Sequence, residues 1–456
     1  MLTRTYKIDN TNRVVLYMQG EYAFKSLYFS NPQQTPTPTT GSDHNSTIRF
    51  QSSSPGSVTV DWDDGNVETF QMQNNGSSYI IGWRCLDVDY YKNPSSTGGG
   101  WGWGIDQSTG QYIKPLPNHH YTDGETRERH IIITFTCEDV YYFNSETVTM
   151  WSFPILELPA LQTLGISYTS YINEIPFVRI SKVKNLTTLN FTSLGSKLQF
   201  IPDSLFDMTG LTSLAISGVF NLSDPDASNF RNIKKLKNLK SLTATVCNIT
   251  TYIKEFNDLP NLENLNISNA NLAYYGADGV PTFDEISTIN PSIKIMNVLG
   301  AGYSGSGIRT SWMENVFAGK GLENLTQLLI EYQNNLTLIL PEYLKEMNSL
   351  NYIYGLNSFK SQSRADTWVN NLYSYMTNWE QVTMTNKLKN GKRNQFYGLS
   401  VSMWSSTYPY DYRPSGTYQA PSGFVKGVSN GNPTTPMEKI YVMQNNYAHS
   451  WNIRPT

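Results

Sequence analysis

A chain of 456 residues with 34 Lys+Arg against 37 Asp+Glu carries a formal charge of -3, which leaves no basic footprint for nucleic acid and no polybasic patch for a membrane surface. Charged residues reach only 16% while aromatics reach 13%, so solubility rests on Asn, Ser, Thr and Tyr. The three cysteines, Cys85, Cys137 and Cys247, are an odd number without metal-ligand spacing and exclude a readable disulfide framework or zinc site.

Met1 to Asn10 lacks the apolar centre of a secretory signal, and no run of 18 apolar residues occurs in the chain. The expectation is a protein made inside a cell and not itself anchored in a membrane. Residues 1–47 read as an N-terminal arm and linker: Val14 to Met18 is a short strand-like run, and Asn31 to Thr47 turns into Pro, Thr, Gln, Ser and Gly.

Between 48 and 145 the pattern is β. Ser57-Val58-Thr59-Val60-Asp61-Trp62 alternates, and His130 to Phe135 is an apolar run of strand length. Asp61, Asp63 and Asp64 before Gly65 suit a tight turn, because Asp side chains there satisfy their own backbone. The Glu that would complete a calcium loop is missing. His119 and His120 are neighbours and would point to opposite faces of a strand, so no metal or other cofactor is expected. The run Val58 to Gly65, followed by His120-Tyr121-x-x-Gly124 and the strand at Ile131 to Ile133, resembles the PKD-type immunoglobulin-like sandwich. The resemblance implies a β-sandwich over 48–145 with a long insertion, 71–118, where the family has a shorter connection. That insertion holds Gly98-Gly99-Gly100-Trp101-Gly102-Trp103-Gly104. So many glycines do not suit the interior of a strand or helix. Trp101 and Trp103 then serve in a loop, either as buried anchors in their own domain or a neighbouring subunit, or as platforms for sugar rings.

From 146 to 357 one phrase recurs. Anchors at Leu158, Val183, Met208, Leu236, Leu259, Asn290, Leu322 and Met347 are each followed three residues on by Leu or Ile, and three further by Leu, Met or Ile. The anchors are spaced by 25, 25, 28, 23, 31, 32 and 25 residues. This resembles the leucine-rich repeat and implies a solenoid of about eight units, since a unit of this size buries its apolar face only against its neighbours. Strands such as Leu164-Gly165-Ile166-Ser167 alternate apolar with small residues, as a sheet with one packed face requires. In Ile201-Pro202-Asp203-Ser204-Leu205 and Leu340-Pro341-Glu342-Tyr343-Leu344, Pro opens a short helical turn. The position where such repeats place Asn or Cys holds Thr169, Val219, Cys247, Ala270 and Gln333, so the repeats are degenerate. Among outward positions, Asn190, Thr192, Thr243 and Asn266 offer hydrogen bonds to a glycan or another chain, though an ordinary solvated sheet reads the same way.

Residues 358–456 read as a C-terminal cap. Ser363-x-x-Asp366 opens one helix with Ala365, Trp368, Val369, Leu372 and Met376 on one face, and Thr435-Pro436-x-Glu438 is a capping box opening a second. A short strand follows near Trp451. Tyr408, Tyr410 and Tyr412 pose the same choice as the two tryptophans, packing or sugar stacking. The fold class expected is therefore β-rich with an α/β solenoid: a PKD/Ig-like sandwich, a leucine-rich-repeat solenoid and an elaborated α+β C-terminal cap. In Gly302-Tyr303-Ser304-Gly305 the spacing of a nucleophile elbow is broken, and nothing local suggests a catalytic carboxylate pair, so no enzyme is expected. This combination resembles virion proteins of tailed bacteriophages that infect Bacteroides-type bacteria, crAss-like phages included. The resemblance implies a structural protein of the tail or a host-facing appendage, exposed on the particle, with other virion proteins and copies of itself as partners. A host surface polysaccharide or receptor is a further implied partner; nucleic acid and membrane insertion are not. A bacterial leucine-rich-repeat adhesin and a phage polysaccharide depolymerase remain open as alternatives.

Overall fold

The computed structural model describes residues 12–18, 22–26, 47–74, 76–87, 119, 121, 127–146, 150–168, 172, 174–194, 201–219, 228–245, 254–267, 289–297, 322–329, 349–354, 362–378, 388–389, 392–393, 399–402 and 413–453. Within them the protein is β-rich with few helices. Two compact units divide the chain, Met1–Phe220 and Asn221–Thr456.

The first unit contains β1 (Asn12–Met18), β2 (Tyr22–Ser26), β3 (Thr47–Ser52), β4 (Ser57–Asp61), β5 (Val67–Gln71), β6 (Gln73–Asn74), β7 (Tyr79–Asp87), β8 (Arg129–Phe135), β9 (Val140–Glu146) and β10 (Met150–Glu157). It continues with β11 (Thr163–Ser167), β12 (Thr188–Thr192) and β13 (Ser213–Ala215), and two single-turn helices, α1 (Phe177–Ile180) and α2 (Asp203–Phe206). One sheet runs β10-β1-β8-β4-β5 and is antiparallel throughout. The other begins β2-β7-β3-β9, also antiparallel.

Aromatic side chains join the two sheets. Phe50 of β3 lies 4.9 Å from Phe143 in its own sheet and 5.0 Å from Phe135 of β8 in the other. Trp83 of β7 meets Trp62 at 6.1 Å and Phe70 at 5.9 Å. Alternation places these rings: Val58 and Val60 of β4 are buried while Thr59 between them is half-exposed, the period of two expected of a sheet with one covered face. Residues 12–18, which the sequence assigns to an N-terminal arm, are an interior strand here. β1 pairs with β8 from Asn12↔Phe135 to Met18↔Arg129, and with β10 on its other edge. Its partners lie so far along the chain that no local pattern announces them.

At β9 the second sheet changes direction. Its far edge pairs in parallel with β11, which pairs with β12, which pairs with β13. The register sets Leu164 beside Leu189 and Leu189 beside Leu214, all three essentially without exposure. At about 1.5–3 kcal/mol for each fully buried leucine, this column is a principal source of cohesion.

The second unit repeats that arrangement. β14 (Ser241–Thr243), β15 (Asn264–Asn266), β16 (Ile295–Asn297), β17 (Gln327–Leu329) and β18 (Tyr352–Tyr354) pair in parallel in chain order, with Leu242, Leu265, Met296, Leu328 and Ile353 in register. A small hairpin joins β19 (Leu388–Lys389) to β20 (Lys392–Arg393). The parallel ladder continues past residue 357 through β21 (Ser400–Ser402), and another hairpin pairs β22 (Ser422–Val425) with β23 (Ser429–Asn432). The last strand of the ladder is β24 (Ser450–Asn452). Helix α3 (Gln362–Asn378) buries Ala365, Trp368, Val369 and Leu372. Ser363 lies inside its first turn and not before it, and the Asp366 carboxylate instead accepts hydrogen bonds from the backbone N–H and hydroxyl of Ser415. Helix α4 (Pro436–Tyr447) has the expected capping box, with the Glu438 N–H donating to Thr435 and the Thr435 N–H to Glu438.

The turns explain the recurring phrase. In each of seven units the N–H three residues after the anchor donates to the anchor carbonyl, from Leu161 to Leu158 through Leu325 to Leu322. One carbonyl then receives two N–H groups from the next unit: Thr187 and Thr188 both donate to Gln162, and Glu263 and Asn264 both donate to Lys240. Side chains add a further link. Asn185 donates to the carbonyl of Pro159, Asn261 to Lys237 and Asn324 to Pro291, each just ahead of the buried leucine of its unit. Asn290, the one polar anchor, is buried and donates to the carbonyls of Phe256 and Leu259 at 2.8 and 2.7 Å. A buried amide is tolerated there because its hydrogen bonds are made.

Candidate functional site

The face opposite the leucine columns carries the outward side chains, and its chemistry differs between units. In the first unit the rows across the strands are Tyr142, Thr163, Thr188 and Ser213, then Asn144, Gly165, Asn190 and Ala215, then Glu146, Ser167 and Thr192. In the second they are Ser241, Asn264, Ile295, Gln327 and Tyr352, then Thr243, Asn266, Asn297 and Leu329. Parallel strands about 4.8 Å apart therefore present hydroxyls and amides at a regular spacing, with the larger aliphatic side chains Ile295 and Leu329 entering the rows at β16 and β17.

Asn190, Thr192, Thr243 and Asn266 all lie on this face and are half-buried. The Thr192 hydroxyl donates to Asn190 Oδ1 at 3.1 Å. Thr243 and Asn266 are register partners on neighbouring strands. The first two belong to one unit and the second two to the other. Trp101, Trp103, Tyr408, Tyr410 and Tyr412 lie outside the described residues. Ile295, Leu329 and Tyr352 lie on the same face, where alternation of apolar with small polar residues predicts polar side chains only.

Titration behaviour on the face is modest. Burial pushes the Tyr142 hydroxyl above its ordinary range, Glu146 and Tyr141 add to that, and Arg49 opposes it. Near the start of β9, burial alone would raise Asp139, but hydrogen bonds from the hydroxyls of Ser52, Ser53 and Ser54 and from its own backbone hold it down at about 2.

A second polar cluster gathers at the Asp61–Gly65 turn. The Asp63 N–H donates to Asp61 Oδ1 and the Asn66 N–H to Asp64 Oδ1, so the aspartates do satisfy their own backbone, and Asp63 and Gly65 both sit at positive φ. His119 is buried, stacked on Trp62 at 4.5 Å, with Nε2 3.0 Å from Asp64 Oδ2 and Nδ1 3.5 Å from Glu68 Oε2. Trp62 Nε1 donates to the same Glu68 carboxylate, and the Tyr121 hydroxyl donates to the Trp62 carbonyl. The buried Arg129 guanidinium lies 3.9 Å from the centre of the Tyr121 ring. This is a clasp that holds residues 119 and 121 against the turn. Glu68 and Arg129 were not legible as its members because they come from two different strands. Among the described residues no three His, Cys, Asp or Glu side chains are placed to hold a metal ion, and no helix is long and apolar enough to cross a membrane.

A shallow depression of about 410 Å³ in the second unit is lined by Pro260, Asn261, Glu263, Pro291, Ser292, Lys294 and Asn324. It is the outer surface of the turns, where Lys294 and Glu263 pair at 2.9 Å and where the asparagine links are already made.

No protein-family model matches the sequence, nor does any curated protein. Among solved structures, the chain is similar to a leucine-rich-repeat protein of Leptospira interrogans, at 15% identity over 48% of this chain and 54% of that one, with a TM-score of 0.29. It is also similar to a chain of an octameric complex of Latrophilin 3, Unc5D and FLRT2, at 16% identity over 43% of this chain and 69% of that one, with a TM-score of 0.23. The match spans about half the length of the Leptospira protein.

Proposed function

We propose that this protein is a non-enzymatic attachment and assembly component, a leucine-rich-repeat solenoid entered through a PKD-like sandwich, which holds its partners on the outward face of its parallel strands. The observation that carries the reading is the rows of hydroxyl and amide side chains repeated from strand to strand on that face. Such rows offer both donors and acceptors at each step, without the concentrated charge that nucleic acid would require. Individual contacts of this kind are weak. Copies in a symmetric assembly multiply them, and avidity from linked sites exceeds the single-site affinity by about 10² to 10⁴.

The setting we propose is the surface of a tailed phage particle, in the tail or a host-facing appendage, with other virion proteins, copies of the same chain and a host surface polysaccharide or receptor as partners. Support for that setting comes from the sequence: the pairing of a PKD-like signature with degenerate repeats, and an Asn-, Ser-, Thr- and Tyr-rich composition low in charge. The test is competition. Purified chain, added in excess, is expected to block adsorption of the particle to host cells or purified capsule. Undiminished adsorption at saturating protein would remove the attachment reading. Absence of the chain from purified particles would remove the virion setting.

A further inference from the structure

The strand ends of the first unit carry a column with a shared backbone signature. Tyr168, Ser193 and Gly218 follow β11, β12 and β13 at intervals of 25 residues, and they sit at φ of 56°, 52° and 62°. The Tyr168 N–H donates to the Thr192 carbonyl at 2.7 Å and the Ser193 N–H to the Ser217 carbonyl at 2.8 Å. Each of these two amides extends the parallel ladder by one step beyond its strand. Glycine adopts this conformation freely and is present at 218. Tyrosine adopts it only against the clash of its Cβ with the backbone. Burial does not compensate for that clash, because Tyr168 is 54% exposed. The fold requires a turn at this position; it does not require an aromatic ring.

The adjoining sheet face carries side-chain amides in register. Asn144, Gly165 and Asn190 are in register on three adjacent strands, and the Asn144 amide lies over Gly165, where any Cβ would collide with its oxygen. Asn190 accepts from the Thr192 hydroxyl through Oδ1, and its NH2 group makes no hydrogen bond among the described residues. Arg49 is in register with Asn144 and Glu146 with Ser167, so one charge of each sign borders the patch.

We infer that the end of β11 and β12 is a subsite for a neutral saccharide, with the Tyr168 ring stacking on a pyranose and the Asn144 and Asn190 amides binding its hydroxyls. An aromatic face accepts the C–H face of a sugar ring. Side-chain amides offer the paired donor and acceptor that neighbouring hydroxyls need. Two strand spacings, about 10 Å, separate the two asparagines. The inference rests on the attachment reading above and gives the class of its ligand.

The test is calorimetric titration of the full chain with neutral gluco-, galacto-, manno-, xylo- and N-acetylglucosamine tetrasaccharides, carried to millimolar concentration. At least one is expected to bind. Tyr168→Gly is expected to weaken that binding by about tenfold while the thermal midpoint holds or rises, because glycine relieves the left-handed backbone. Tyr168→Phe should keep the affinity, and Asn190→Ala should lower it. A merely structural tyrosine would give the opposite pattern, with stability falling and affinity intact. No binding by any of the five sugars, or equal affinity in Tyr168→Gly, overturns the subsite. The two readings separate in the adsorption assay. If Tyr168→Gly competes as well as the unaltered chain, attachment stands and this subsite does not. If the unaltered chain fails to compete, attachment falls, and the titration alone decides on sugar binding.

Discussion

The antiparallel sheets of the first unit and the parallel ladder of the second are both built from short strands, yet they are held together over different distances along the chain. In the first, Asn12 donates to the carbonyl of Cys137, 125 residues away, and Phe50 packs on Phe135 and Phe143. In the second, Asn261 reaches back 24 residues, Asn290 reaches 31 and Asn324 reaches 33, so each step joins one unit to its neighbour. Contacts far apart in sequence form together or not at all. Nearest-neighbour contacts add up step by step, and a fault in one of them stays local.

The sharpest way to break that comparison is Phe50→Ala. Phe50 is fully buried, and its truncation is expected to cost about 3–5 kcal/mol. Hydrogen exchange should then show protection falling together in β1, β3, β4, β8 and β9. Leu265→Ala removes an equally buried side chain and is expected to cost about 2–5 kcal/mol, but with exchange rising only from β14 to β16. If Leu265→Ala also opened β3 and β8, the distinction would fail.

Asn290→Leu sharpens it further, because it restores the apolar anchor that the other units favour. The substitution is nevertheless expected to destabilise by about 1–3 kcal/mol, measured by urea denaturation, since the buried Phe256 and Leu259 carbonyls each lose the side-chain donor that supplements their backbone N–H. Asn261→Ala removes a single exposed link and should cost about 0.5–1.5 kcal/mol.

Acid gives the smallest effect and touches one residue in each unit. Asp139 is held at about 2 against an ordinary 3.8. Glu438 is held at about 2 against 4.5 by the Thr434 backbone N–H first, then by Gln419 and the Thr434 hydroxyl. Both carboxyls are lowered in the folded protein, so their contributions are complete above the ordinary values and are lost as pH falls towards 2. Asp139→Asn should flatten the acid dependence of exchange in β3 and β9 and leave that of α4 unchanged.

Much of this architecture is legible because the same constraint acts many times. The anchor phrase is a turn closed by one N–H and one carbonyl, so Leu158 and Leu161, or Leu322 and Leu325, mark it at every occurrence. The asparagine link was also present in the sequence, as Asn185-Leu186, Asn261-Leu262 and Asn324-Leu325, one residue before the buried leucine. It lies before the strand, whereas the repeat pattern assigns its Asn to the position after the strand. The place of β1 was not legible, since Val14 and Leu16 would look the same at an edge or in the middle of a sheet. Of the left-handed column, Gly218 alone carried a signal. Tyr168 and Ser193 gave none, because side-chain identity does not announce a backbone angle that opposes it. Of the candidate side chains on the face, Asn190 and Thr192 are placed there by alternation, but their contact through the hydroxyl depends on side-chain rotamers that alternation does not fix.

β9 has one edge antiparallel to β3 and the other parallel to β11, and its side chains therefore serve two alignments at once. Because residues on a strand alternate between faces, inserting or deleting a single amino acid within 140–146 would turn Phe143 out of the aromatic core and, in the same motion, put Leu164 opposite a residue facing the wrong way. One short segment thus keeps two dissimilar architectures in phase, and it tolerates changes of length less well than any of the arms downstream.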